Sequence, residues 1–158
     1  MIYVFDTNSL SNVLRHYYRG TFPSFWVKFD AMLQAKRVIS VREARLELEQ
    51  RFERAVIQEQ FLAHNADFFE NPDGAELSFI TQIYSVPHFQ QNLDRKKLLQ
   101  GGPFADPFVI AKARVKQAAV VTEEERREHG ARIPNICEHF GIECVKLEGF
   151  LVKEDWKF

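Results

Sequence analysis

Four short apolar runs punctuate the chain: Ile2-Tyr3-Val4-Phe5, Val38-Ile39-Ser40-Val41, Ala119-Val120-Val121-Thr122 and the stretch 142–147. Each is separated from the next by sequence of helical character. Runs of this length alternating with helices are the pattern of parallel strands buried on both faces. The first strand turns at Asp6-Thr7-Asn8-Ser9 into a helix reaching about residue 18, broken over 20–23 by Gly20 and Pro23. A second helix follows around Phe25 to Leu33, aromatic on one side. The strand over 37–41 then leads into the strongest helical pattern of the chain, a single helix over 42–64. Ala44, Leu48, Phe52, Ala55, Val56 and Leu62 mark its apolar stripe.

Asn71-Pro72-Asp73-Gly74 reads as a turn. Helices are predicted over 75–86 and 88–99, the latter ending at Gly101-Gly102-Pro103, and over 107–117 before the strand 119–122. Ile133-Pro134 opens a short helix closed by Gly141. A last strong strand is expected over 142–147, with the tail to Phe158 adding an edge. With no repeat, linker or low-complexity segment, the pattern predicts one α/β domain over residues 1–158 with βαβ crossovers.

Acidic residues stand where the strands stop. Asp6 follows the first run, Glu47 lies beyond the second, Asp106 opens Asp106-Pro107-Phe108-Val109-Ile110-Ala111, and Glu124 follows Thr122. Ligands of parallel sheets bind beyond the carboxyl ends of the strands. Carboxylates collected there form an acidic pocket, whose natural occupant is a hard divalent cation such as Mg²⁺ or Mn²⁺. Each acid also has a plain structural reading. Asp6 suits an Asx turn or helix N-cap. Glu47 lies one turn from Glu43, and Arg42, Arg45 and Arg54 are available to pair with both. Asp106 before Pro107 is what a helix start requires, and a capping carboxylate still has an oxygen to offer a metal. Glu124 belongs to the charge run 123–128, which on its own is a solvated surface. Asn8 and Ser9 are polar neighbours suited to orienting a ligand.

Composition narrows the classes. The chain has 158 residues, 46% of them apolar, with 15 Phe, which excludes disorder. No stretch approaches the ~20 apolar residues needed to cross a bilayer. The N-terminal segment has no cationic lead into an apolar signal, so the expectation is a cytoplasmic protein. Cys137 and Cys144 are too few for a four-thiol zinc site and read as reduced packing residues. The net charge of −1 neither advertises nor excludes nucleic-acid binding. Lys112 and Lys116 share a helix face and are candidates for contacting nucleic acid, as is the dense Arg95-Lys96-Lys97 cluster. Tyr17, Tyr18, Phe25 and Trp26 are read as packing aromatics before stacking platforms, and the five histidines as surface or cap residues.

Several segments resemble the PIN-domain ribonucleases, the VapC-like toxin fold, and more closely a less characterised subgroup of it. They are Tyr3-Val4-Phe5-Asp6-Thr7-Asn8, Val38 to Val41 with Glu47-Leu48, Ala105-Asp106-Pro107-Phe108-Val109-Ile110-Ala111, Val120-Val121-Thr122-Glu123-Glu124 and Ile133-Pro134-Asn135-Ile136-Cys137. The Ala-Asp-Pro and Ile-Pro-x-x-Cys segments discriminate best. The resemblance implies a three-layer α/β/α sandwich around a central parallel β-sheet and a Mg²⁺- or Mn²⁺-dependent endoribonuclease leaving 5′-phosphate and 3′-hydroxyl ends. Asp6, Glu47 and Asp106 fall on its core acidic positions. Glu124 replaces the Asp of a Thr-x-Asp motif, a longer arm at the second-metal position, and Thr122 matches a supporting position. The implied roles are Asp6 and Asp106 as metal ligands, Glu47 as ligand or orienter of water, Glu124 as direct or water-mediated ligand, and Asn8 and Thr122 in support. The resemblance also implies a toxin of a toxin–antitoxin pair, an antitoxin partner and a homodimer.

Other readings stay open. An aspartate-nucleophile phosphohydrolase needs Asp-x-Asp, and Asp6-Thr7-Asn8 lacks the second acid. A degenerate PIN scaffold binding RNA or protein fits the Glu124 departure. A flap-type DNA nuclease needs insertions that a chain this short lacks.

Overall fold

The computed structural model describes residues 1–94 and 104–158. Strand β1 (Tyr3–Phe5) is followed by α1 (Thr7–His16), α2 (Pro23–Gln34), β2 (Val38–Val41) and α3 (Arg42–Glu49). Next come α4 (Arg54–Ile57), a π-helical turn (Gln58–Leu62), β3 (Phe69–Glu70), α5 (Gly74–Tyr84) and a 3₁₀ turn (Pro87–Phe89). Beyond residue 104 lie α6 (Asp106–Lys116), β4 (Ala119–Val121), α7 (Ile133–Phe140), β5 (Cys144–Val145) and α8 (Leu147–Lys153). The expected end of the 88–99 helix and the Arg95-Lys96-Lys97 cluster lie outside the described residues.

The strands form one parallel sheet in the order β3-β2-β1-β4-β5. Alternation along each strand divides the interior into two cores, as a period of two demands. Tyr3, Phe5, Val38, Ala119 and Val121 face one side and pack with α1, α2, the α4 region and α8. Val4, Ile39, Val41 and Val120 face the other and pack with α5, α6 and α7. This is the expected three-layer α/β/α sandwich, PIN-like in architecture. The first core is aromatic: Phe150 meets Tyr3 and Phe5 edge-on at 4.8 and 5.1 Å, and Phe25 stacks on Tyr17 and Phe29.

Three expectations are corrected. The helix predicted over 42–64 breaks after Glu49, because the burial phase changes. Leu48 is buried, but Ala55, on the same stripe, is exposed, whereas Ile57 and Phe61 are buried. The extended backbone of Glu53 (ψ 145°) restarts the helix with that new face inward. The expected strand over 142–147 is only Cys144–Val145, since Leu147 and Phe150 bury as one helical face. For the same reason the tail forms α8 rather than a sheet edge. The edge beyond β2 is instead β3, two residues long. Gly141 does close α7, in the left-handed conformation (φ 68°) that glycine adopts without strain.

Among the described residues no helix is long and apolar enough to cross a membrane. Cys137 and Cys144 are both free thiols. The five histidine side chains all lie at or near the surface.

Candidate metal pocket at the carboxyl edge of the sheet

Chain order reverses at β1: β2 and β3 are added on one side, and β4 and β5 on the other. That switch point is where parallel sheets open a crevice. The residues that follow β1 and β4 line it. Asp6 continues β1, its amide donating to the Val121 carbonyl at 2.9 Å. Thr122 and Glu124 continue β4. Glu47 reaches in from α3 and Asp106 from the first turn of α6. A pocket of about 90 Å³ is lined by Asp6, Thr7, Asn8, Glu47, Arg51, Asp106 and Glu124.

Neutral donors hold each acid. Thr122 Oγ1 donates to Asp6 Oδ2 (3.0 Å), with Asn8 Oδ1 an alternative acceptor at 3.3 Å. Asn8 Oδ1 also accepts from the Glu123 amide. Glu47 is gripped at both oxygens, by Thr7 Oγ1 (2.7 Å) and the Ala105 amide (2.9 Å). Asn92 Nδ2 donates to Asp106 Oδ2 at 3.0 Å and is itself set by the Tyr84 hydroxyl. Glu124 Oε2 accepts the Ile133 amide at the start of α7.

The bland readings are thereby revised. The Asp6 side chain makes no capping bond to α1. Asp106 is the first helical residue rather than the cap, which is Ala105. The charge run is not a simple solvated face: Glu124 holds the start of α7, and Glu123 Oε1 accepts the Leu147 amide at the start of α8. Arg42 pairs with Glu43, while Arg45 and Arg54 pair with Glu49. Glu43 is buried and does not line the pocket.

Electrostatics mark Asp6 as the strained member. It is 4% exposed. Burial first, then the charges of Asp106, Glu124 and Glu47, hold its carboxyl well above the usual range, with the Thr7 amide pulling the other way. The Tyr84 hydroxyl is pushed up by burial and by Asp106. Four carboxylates around one small pocket, one of them buried and facing the charge of the other three, fit a hard divalent cation. Among the described residues no three His, Cys, Asp or Glu side chains already stand at ligating distance.

Lys112 is corrected as a nucleic-acid contact. Its side chain is 3% exposed and its ammonium is spent on Glu76 (2.9 Å), Glu70 (3.3 Å) and the Asn71 carbonyl. Lys116 stays half-exposed, 4.0 Å from Glu70. Phe25 and Trp26 are buried packing residues, and Tyr18 is exposed. Tyr84, Asn92 and Arg51 were not found from sequence. An Asn and a Tyr eight residues apart carry no signal until the fold aims both at Asp106.

Thr122→Val tests the polar support. It removes the hydroxyl shared by Asp6, Asn8 and the Glu124 amide, which accepts and donates in a fully buried position. Denaturant unfolding should show a loss of about 1–2 kcal/mol.

Comparison with known proteins adds the following. Among curated proteins none matches the sequence. Among solved structures the fold is similar to that of FitAcB from Neisseria gonorrhoeae, with a TM-score of 0.54 at 16% identity over 91% of this chain and 96% of that one. A family described as a domain of unknown function matches residues 3–158, a span containing every residue of the acidic pocket. The chain therefore belongs to the DUF4411 family.

Proposed function

We propose that this protein is a Mg²⁺- or Mn²⁺-dependent endoribonuclease, the toxin of a toxin–antitoxin pair. The observation that carries the reading is the convergence of Asp6, Glu47, Asp106 and Glu124 from four separate segments on one pocket at the sheet's switch point. The segments that resemble VapC-like toxins support it, and the fold agrees. Asp6, Asp106 and Glu124 would hold the cation. When bound, the metal supplies Lewis acidity toward the phosphate and lowers the pKa of water. The chain supplies the geometry. Glu47, fixed at both oxygens, orients the attacking water and accepts its hydrogen bond. Thr122 and Asn92 keep Asp6 and Asp106 aimed into the pocket. The expected products carry 5′-phosphate and 3′-hydroxyl ends. An antitoxin that covers the acids would silence the site, and a homodimer is the expected assembly.

The test is incubation of transfer RNA, ribosomal RNA fragments and single-stranded RNA with Mg²⁺ or Mn²⁺, with EDTA as control. Cleavage that EDTA abolishes is the expected result. Specific RNA binding without cleavage in either metal would replace this reading with the second one, a degenerate scaffold. One observation favours that alternative: the longer Glu124 arm commits an oxygen to the Ile133 amide.

A further inference from the structure

Among the described residues, Arg51 is the only cationic one in the lining of the acidic pocket. It sits in the turn between α3 and α4, where the periodicity predicted unbroken helix. The turn is firmly built. The Arg51 and Phe52 amides both donate to the Leu48 carbonyl, at 2.9 and 2.8 Å, and the Arg15 guanidinium lies 5.5 Å over the Phe52 ring. The Arg51 side chain, by contrast, is exposed and makes no ion pair or hydrogen bond among the described residues. Its neighbours behave differently, since Arg42, Arg45 and Arg54 all pair with glutamates of α3.

A guanidinium that lines a pocket with four carboxylates, yet has no ion pair among the described residues, needs a reason. The acids are already oriented by hydroxyl, amide and carboxamide donors, so Arg51 is not needed to position them. Left over is a planar, permanently charged fork suited to a phosphate. A trough of about 200 Å³ meets the pocket at Glu124, which lines both, and is lined further by Thr122, Arg126 and Lys146. These two pair with Glu138 and Glu125 at the surface, where such pairs are weak and exchangeable. Arg51 follows α3, the helix after β2, Asp6 follows β1, and Arg126 and Lys146 of the trough follow β4 and β5.

We propose that Arg51 binds the scissile phosphate of a single-stranded RNA, whose strand crosses the carboxyl edge of the sheet from Arg51, over the carboxylates, into the Arg126–Lys146 trough. This rests on the nuclease reading above. Arg51 would grip a non-bridging oxygen and stabilise charge there during cleavage. The trough would receive the adjoining nucleotide. Pairs of Arg126 and Lys146 with glutamate open as phosphate displaces carboxylate.

The experiment measures binding of a fluorescein-labelled oligoribonucleotide in Ca²⁺ across a salt series, and Mn²⁺ binding by calorimetry. Wild type, Arg51→Ala and the double variant Arg126→Ala/Lys146→Ala are compared. Arg51→Ala should weaken oligonucleotide binding about tenfold and lower the salt slope by about 0.7, the value of one phosphate contact on a single strand. Its Mn²⁺ affinity should be unchanged or tighter, since a cation leaves the pocket. That combination separates phosphate binding from a structural role, which would loosen the metal as well. The double variant should lose oligonucleotide affinity without changing Mn²⁺ binding. Wild-type binding of both ligands with Arg51→Ala unaltered overturns this inference alone. A wild type that binds neither Mn²⁺ nor oligonucleotide overturns the inference together with the nuclease reading.

Discussion

Asp6→Asn should abolish metal-dependent RNA cleavage while making the metal-free protein more stable at neutral pH. Loss of a direct ligand is expected to cost at least about 10³-fold in rate, roughly 4 kcal/mol of transition-state stabilisation. The stability gain follows from the pocket's electrostatics. Asp6 is buried and faces three further carboxylates, so its folded-state carboxyl binds a proton more tightly than the unfolded chain does. A raised acid contributes stability that is full below the ordinary aspartate range and is lost as pH rises through the folded value. The metal-free wild type should therefore lose stability with rising pH, and Asp6→Asn should escape that loss. The Thr122 hydroxyl retains an acceptor in the variant, so the support is kept. Thermal melts in EDTA at pH 4 and pH 8 check this: the variant's advantage should appear at pH 8 and close towards pH 4. Adding Mn²⁺ should reverse the ranking, because only the wild type gains binding energy in the folded state. A variant that melts lower than wild type at every pH would make Asp6 a structural residue.

Lys112→Met should be the most damaging single substitution away from the pocket. Lys112 and Glu76 are 3% and 2% exposed at the side chain, and their 2.9 Å ion pair ties α6 to α5. Glu76 also closes the capping box of α5 with Asp73. Removing one partner of such a pair strands the other charge in the interior, at about 3–5 kcal/mol. That is a large part of an ordinary domain's stability. Burial already pushes the Glu76 carboxyl up, and without the lysine it protonates more readily still. The penalty should then be larger at pH 8 than at pH 5. Urea unfolding of Lys112→Met, Glu76→Gln and the double variant forms a cycle, and the double should recover much of the loss. A single-variant cost below about 1 kcal/mol would show that the pair contributes little.

The two outcomes illustrate what one-dimensional sequence carries. Asp6, Asp106 and Glu124 were legible because each stands just after a buried run or opens a helix, Glu47 because its helix follows the second run directly, and the topology of parallel sheets directs such positions to one edge. The strands around Val4, Ile39 and Val120 were legible for the same reason, being apolar on both faces. Lys112 was misread because a lysine on a helix is ordinarily solvated, and its partners Glu70 and Glu76 come from elements that only tertiary packing brings near. The break after Glu49 was hidden because Phe52 and Val56 continue the stripe, although packing buries Ile57 and Phe61 instead. Strand β3, two residues long, is too short for any period to register. The tail helix was taken for a sheet edge because its aromatic residues suit either. Its docking under Tyr3 and Phe5 decided the matter.

The place of β1 at the centre of the sheet has a consequence for how the molecule comes into being. Its register partners are Val38 and Ile39 on one side and Ala119 to Val121 on the other. The two neighbours of β1 are therefore drawn from widely separated parts of the sequence. Until residue 124 emerges the carboxylate set is incomplete, and contacts of such sequence separation are slow to close. Whatever this pocket does begins only with the finished fold.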